Sequence, residues 1–233
     1  MSDIPANLAA IRDRISRAAR AAGRSPESIK LVAVSKTFPA EAIEEAIAAG
    51  QRCFGENRVQ EADPKIASLH SRHQLEWHLV GHLQSNKAHR AVELFDVLHS
   101  LDSVRLAARL SRACIEIGKS LSVLIQIDLG QEETKFGADP GQVPEIVTAV
   151  HSLEGLRLDG LMTLPPYFED PELARPYFAR LRELSNALER EQPGCLGQQH
   201  LSMGMTHDFE TAIQEGATIV RIGTAIFGAR THA

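Results

Sequence analysis

Eight short apolar runs recur along this chain, and an amphipathic helical pattern separates most successive pairs. The runs are KLVAV near Leu31, RCFG near Cys53, EWHLVG near Trp77, DVLHSL near Val97, LSVLIQIDL near Leu121, LRLDGLM near Leu156, QQHLSMG near His200 and TIVRIG near Ile219. The helical patterns occupy 40–49, 59–69, 86–94, 104–117, 143–151, 174–188 and 209–215. Strands alternating with helices form right-handed βαβ units and a parallel sheet. Eight such units in 233 residues predict a closed (β/α)8 TIM barrel, with a doubly wound open sheet as the rival. Ile4, Leu8, Ile11, Ile15 and Ala18 are spaced by three and four, so residues 1–24 are expected to form a helix packed on the barrel, stopped at Gly23. Its arginines, Arg12, Arg14, Arg17, Arg20 and Arg24, read as a solvated face. Residues 1–233 read as a single domain.

The formal net charge of -5 argues against nucleic acid or an anionic membrane as the main partner. No apolar run approaches the roughly 18 residues that a membrane span needs, and the N-terminal stretch lacks the apolar core of a secretion signal. Cys53, Cys114 and Cys195 are far apart and form no CxxC, the pattern of a reduced, cytoplasmic protein. His78 and His82 are four apart but fall on a strand and its exit, where that spacing does not place two ligands on one helical face; no metal site is expected. The chain also lacks GxGxxG and a Walker lysine.

In a barrel the chemistry gathers just after each strand. Lys36 follows the first, Glu56 and Asn57 the second, and His82 the third. Ser202, Met203, Gly204, Met205 and Thr206 follow the seventh, and Arg221, Gly223 and Thr224 belong to the eighth and its exit. Phosphate groups in barrels often sit at the loops after strands seven and eight, near a short extra helix. Gly204 and Gly223 let the backbone approach an anion closely, and Ser202, Thr206 and Thr224 offer hydroxyls. Asp208 is placed to cap the helix that begins near Phe209. A lysine facing such a cup has two readings. Lys36 pairs with the phosphate charge, or it forms a Schiff base with an aldehyde cofactor whose phosphate fills the cup; pyridoxal phosphate fits both ends.

The segments LVAVSKTFP, GENRVQEA, WHLVGHLQSNK, IQIDLG, LDGLMTLPP, LSMGMTHDFETAIQEG and VRIGTAIFGAR together resemble the YggS/PROSC family of pyridoxal-phosphate homeostasis proteins. They run in order over nearly the whole chain. The resemblance implies a barrel like the N-terminal domain of alanine racemase, with pyridoxal 5'-phosphate (PLP) bound to Lys36 as a Schiff base. It implies further that Arg221 lies against the pyridine nitrogen and Asn57 near the ring. Ser202 and the backbone of Gly223 and Thr224 would hold the phosphate, and His82, Met203, Gly204 and Thr206 complete the expected cofactor-binding set. Thr206 stands where family members often have Ser, with the hydroxyl retained. The stretch DLGQEETKFG reads as an ordinary variant of a variable segment.

An arginine at the ring nitrogen stays protonated and can only donate, so the nitrogen stays unprotonated and the ring is a weak electron sink. That disfavours transaminase-type chemistry. Two function classes follow: a cofactor carrier or regulator in PLP homeostasis, acting with PLP-dependent apo-enzymes and amino acids, or a weak amino-acid racemase. Racemization needs a base on each face of the carbanion. Lys36 can be one. Alanine racemases take the other, a tyrosine, from a second domain and partner chain. This sequence shows no such domain after its last strand, and Tyr167, in the loop after strand six, is the residue that could reach the mouth. The carrier reading is favoured, as a monomer without catalytic activity of its own.

Overall fold

The computed structural model describes residues 3–69, 72–130 and 136–229. His70 and the middle of DLGQEETKFG lie outside the described residues. Eight parallel strands close into a barrel in sequence order: β1 (Lys30–Val34), β2 (Cys53–Glu56), β3 (Glu76–Leu79), β4 (Val97–Leu101), β5 (Leu121–Ile127), β6 (Leu156–Thr163), β7 (His200–Ser202) and β8 (Ile219–Ile222). β8 returns to β1, with Val32 beside Arg221. The open-sheet rival is thereby excluded.

Nine α-helices are described, beside short 3-10 turns: α1 (Ile4–Ala21), α2 (Ala40–Ala48), α3 (Val59–Ser68), α4 (Ala88–Leu94), α5 (Val104–Ile117), α6 (Val143–His151), α7 (Arg175–Glu191), α8 (Phe209–Gln214) and α9 (Thr224–Phe227). α2 to α8 each follow one strand. Strands buried on both faces carry near-continuous apolar runs, which is why β5 reads LSVLIQI with every residue buried. A large apolar layer fills the space between barrel and helices, and Val32, Val34, Val80, Leu124, Met162 and Ile219 form a smaller cluster. Gly55 lets that cluster close up: a Cβ there would lie 2.9 Å from Val32 Cγ1 and 3.2 Å from Val34 Cγ2. No helix of the described residues is long and apolar enough to cross a membrane.

α1 lies against α2, α8 and α9. Its arginines are not all a solvated face. Arg12 Nη1 donates to Ala49 O at 3.0 Å, Arg14 pairs with Glu210 at 2.7 Å and covers the Phe209 ring, and Arg24 Nη1 donates to Ile213 O and Ala217 O. Three of the five arginines therefore dock the helix: the long stems of Arg12 and Arg24 reach carbonyls at the ends of α2 and α8, and Arg14 reaches the Glu210 carboxylate in the first turn of α8.

Candidate functional site

A cavity of about 610 Å³ opens at the C-terminal end of the strands. Val34, Lys36 and Phe38 line it from the β1 exit, Asn57 from the β2 exit and Val80 from the β3 exit. The loop from Leu164 to Phe168 contributes after β6, residues Met205 to Asp208 after β7, and Arg221, Gly223 and Thr224 from β8. A second hollow, of about 470 Å³, lies on α7 in the outer helical layer, lined by Glu183, Asn186, Glu189 and Arg190, away from the strand ends.

Lys36 sits in a tight turn that a buried polar cluster holds from behind. Thr37 takes a left-handed conformation (φ +69°), a strained one for a β-branched residue, and its N–H donates to the Glu61 carboxylate. Lys65 Nζ donates to Ser35 O (3.0 Å), Glu56 Oε1 (2.7 Å) and Glu61 Oε1 (2.9 Å), and Ser35 Oγ donates to Glu56 Oε1 (2.7 Å). Glu56 is fully buried, which pushes its carboxyl pKa up, while Lys65 opposes the shift. Glu56 thus faces α3 and supports the turn, and only Asn57 of that pair reaches the cavity. Sequence reasoning did not single out Lys65; the Glu61–Lys65 pair at i,i+4 was its one local signal. Asn57 is wedged against the next strand exit. A Cβ at Gly81 would fall 2.3 Å from Asn57 O and 2.6 Å from its Oδ1, so glycine is required there.

Arg221 is 4% exposed. Its Nη1 donates to Ser202 Oγ at 2.5 Å and its Nη2 to Thr163 O at 3.0 Å. Burial lowers its pKa to about 10, with Asp208 opposing, so it carries its charge at neutral pH. Thr224 Oγ1 donates to Thr206 Oγ1 at 3.3 Å, which brings the two hydroxyls together on the cavity wall beside Gly223.

Lys36, Asn57, Thr206, Arg221, Gly223 and Thr224 therefore share one cavity, and four other expected residues stand elsewhere. Ser202 is fully buried, its oxygen shared between Arg221 and His99 Nδ1 (2.8 Å), and it does not line the cavity. Met203 is fully buried in the apolar layer outside the strands. Gly204 has φ +89°, its carbonyl accepts the Arg221 N–H, and a Cβ there would lie 2.6 Å from Ala212 Cβ. The close approach of α8 there requires a glycine. His82 stacks on Phe136 at 3.6 Å between ring centres, with Asp102 Oδ2 3.6 Å from its Nδ1, outside the cavity lining. Asp208 does not cap α8 through its side chain; Oδ1 accepts the Met205 N–H at 2.6 Å and shapes the loop instead. The residues missed at the sequence level are mainly apolar wall: Phe38, Val80, and the Leu164, Pro165, Pro166 and Phe168 neighbours of Tyr167. Tyr167 lines the rim, 77% exposed and tilted against His207.

The family model for the alanine racemase N-terminal domain matches residues 6–231. A pyridoxal phosphate homeostasis protein of Escherichia coli K12 is 47% identical over all of this chain and 99% of its own length. The chain belongs to the pyridoxal phosphate homeostasis protein family. A member of that family from Aquifex aeolicus is 44% identical over 97% of both chains. PipY of Synechococcus elongatus, solved with PLP bound, is 41% identical with a TM-score of 0.83, covering 97% of this chain and all of PipY.

Proposed function

We propose that this chain binds PLP in the barrel-mouth cavity, covalently at Lys36, and acts in intracellular PLP homeostasis as a carrier. The observation that supports this reading is that a lysine, a buried arginine and a pair of threonine hydroxyls beside a glycine line one cavity. PLP carries an aldehyde, a ring nitrogen and a phosphate, and each has a chemically matched group there. When bound, the cofactor supplies an aldehyde that condenses with amines and a ring that draws electrons from the attached carbon.

Each residue then has a separate task. Lys36 is the attachment point, presented by the turn that Glu56, Glu61 and Lys65 hold. Arg221 is the group assigned to the ring nitrogen; it can only donate, so it keeps that nitrogen unprotonated and the electron sink weak. Thr206, Thr224 and the Gly223–Thr224 backbone are assigned to the phosphate. Asn57 flanks the ring. Ser202 and Gly204 act from behind, on Arg221. The exposed rim at Tyr167 leaves the cavity open to amines, as cofactor transfer to PLP-dependent apo-enzymes, or exchange with amino acids, requires.

The proposal extends to a cytoplasmic, monomeric protein in which α1 and the barrel act as one unit, without nucleic-acid or membrane partners. One observation keeps the racemase reading in play: the Tyr167 phenol is on the cavity rim. The test is a transfer assay. PLP-loaded protein is mixed with an apo-enzyme, and racemization of alanine is followed in parallel in deuterated buffer. Transfer without enzyme-like racemization supports the carrier; the opposite result supports the racemase.

A further inference from the structure

Glu76, the first residue of β3, is joined to Arg221 by an unbroken line of hydrogen bonds through the barrel interior. Arg221 Nη1 meets Ser202 Oγ at 2.5 Å, and Ser202 Oγ meets His99 Nδ1 at 2.8 Å. His99 Nε2 meets His78 Nδ1 at 2.7 Å, and His78 Nε2 meets Glu76 Oε1 at 2.9 Å. The links come from β8, β7, β4 and β3. β4 and β7 are not neighbours in the barrel, so the Ser202–His99 contact spans its lumen. His78, His99 and Ser202 are fully buried, and Glu76 lies partly exposed at the far end from the cavity.

One arrangement of protons uses every donor and acceptor along the line without burying a second charge. A guanidinium only donates, and an ionised carboxylate only accepts. In that arrangement Ser202 accepts from Arg221 and donates its O–H to His99 Nδ1, the other partner of its oxygen. That nitrogen must be bare, so His99 carries its hydrogen on Nε2 and donates it to His78 Nδ1. His78 in turn carries its hydrogen on Nε2 and donates it to Glu76. No ring nitrogen is left over, and both imidazoles are neutral. Glu76 is an acceptor on every side: Lys30 Nζ donates to Oε1 at 2.7 Å, and the Cys53 thiol lies 3.6 Å from Oε2. Among the described residues, no carboxylate lies within hydrogen-bonding distance of the Arg221 guanidinium. Besides the charge of Asp208, which it does not touch, the guanidinium is answered by aligned dipoles ending on a carboxylate. Hydrogen bonds in such a chain polarise one another.

We propose that Glu76 is a positioning residue for Arg221: from the opposite end of the barrel it fixes the proton polarity of the Ser202–His99–His78 chain, and so holds the guanidinium plane that faces the cavity. The inference rests on the reading that Arg221 faces the cofactor ring, but its first readout needs no cofactor. In ligand-free protein labelled with ¹⁵N at histidine and arginine, His78 and His99 should both be neutral with hydrogen on Nε2. The Arg221 Nη protons should be resolved and slow to exchange. Glu76→Met removes the acceptor at a partly exposed position. It should put hydrogen on His78 Nδ1 in part of the population, and speed Arg221 Nη exchange by roughly tenfold or more. The absorption band of bound PLP should shift in the same variant. Lys30→Met leaves Glu76 in place and should keep the wild-type tautomers.

Wild-type His78 or His99 with hydrogen on Nδ1, or doubly protonated, overturns the proposal without any variant. So does a folded Glu76→Met protein whose tautomers and Arg221 exchange match wild type. If PLP fails to bind wild type at all, the PLP-carrier reading falls, while the tautomers and Arg221 exchange still decide the role of Glu76.

Discussion

Arg221 Nη1 donates to Ser202 Oγ across 2.5 Å, and that bond commits the Ser202 oxygen to the barrel interior rather than to the cavity. Ser202→Ala should therefore act on Arg221. Affinity for PLP and for pyridoxal should fall by a similar factor, because the ring and not the phosphate loses support. Thr206→Val and Thr224→Val should instead weaken PLP alone. Loss of a charge-assisted hydrogen bond of about 1.5–3 kcal/mol corresponds to roughly ten- to a hundredfold in Kd. Titrations with both vitamers check this. A Ser202→Ala loss confined to PLP would return the serine to the phosphate.

The turn that presents Lys36 depends on a buried ion pair. Lys65→Met leaves Glu56 buried with Ser35 Oγ as its remaining hydrogen-bond donor, and should cost about 3–5 kcal/mol in urea denaturation. Lys65→Met with Glu56→Gln should recover much of that loss, since no uncompensated charge remains. No recovery in the double variant would mean that the pair packs rather than compensates charge.

Stability should fall as pH drops below about 6.5. Burial lowers the pKa of both His78 and His99 below the ordinary histidine value, for His99 well below it. Each therefore binds a proton in the unfolded chain before it does in the folded one. Their contribution is present above about pH 6.5 and is lost as pH falls from there toward the folded values. Each histidine adds up to about 1.4 kcal/mol per pH unit to the slope. His200, also lowered, acts in the same sense; Glu56 and Asp208, both raised by burial, act in the opposite one. His99→Gln should thus flatten the urea-midpoint profile between pH 7 and 5. An unchanged slope would show that His99 takes no part.

The fold was legible because a strand buried on both faces has almost no choice of residue. β7, three residues long, was a short and weak run, legible chiefly from its place between two helical patterns. The cavity was half legible. A strand exit is marked by the end of an apolar run, so Lys36, Asn57 and Arg221 could be placed at the mouth. Direction was not legible to the same degree. Successive strand side chains face opposite ways, and one position decides between lumen, mouth and helix layer. Ser202 ends β7 still inside the barrel, Met203 turns outward, and Glu56 turns to α3 while Asn57 faces the cavity. The His78–His99–Ser202 chain was illegible for a different reason. It depends on the stagger of strands that are not neighbours, which no local pattern encodes.

Tyr167 is the side chain whose removal separates the two functional readings most sharply. Tyr167→Phe should leave cofactor transfer within about twofold of wild type, because an exposed rim phenol contributes little to binding. Deuterium exchange at the alanine α-carbon should be slow in both proteins. Enzyme-like exchange in wild type that drops by roughly 10²–10⁴ in the variant would identify the phenol as a general acid–base group.

The most direct measurement is borohydride reduction of the PLP-loaded protein followed by peptide mapping. The expected result is a single stable pyridoxyl adduct on the peptide that contains Lys36, with loss of the visible absorption band, and no adduct on that peptide in Lys36→Ala. An adduct on Lys65 or Lys87 instead, or an undiminished visible band in Lys36→Ala, would contradict the assignment of the cavity lysine.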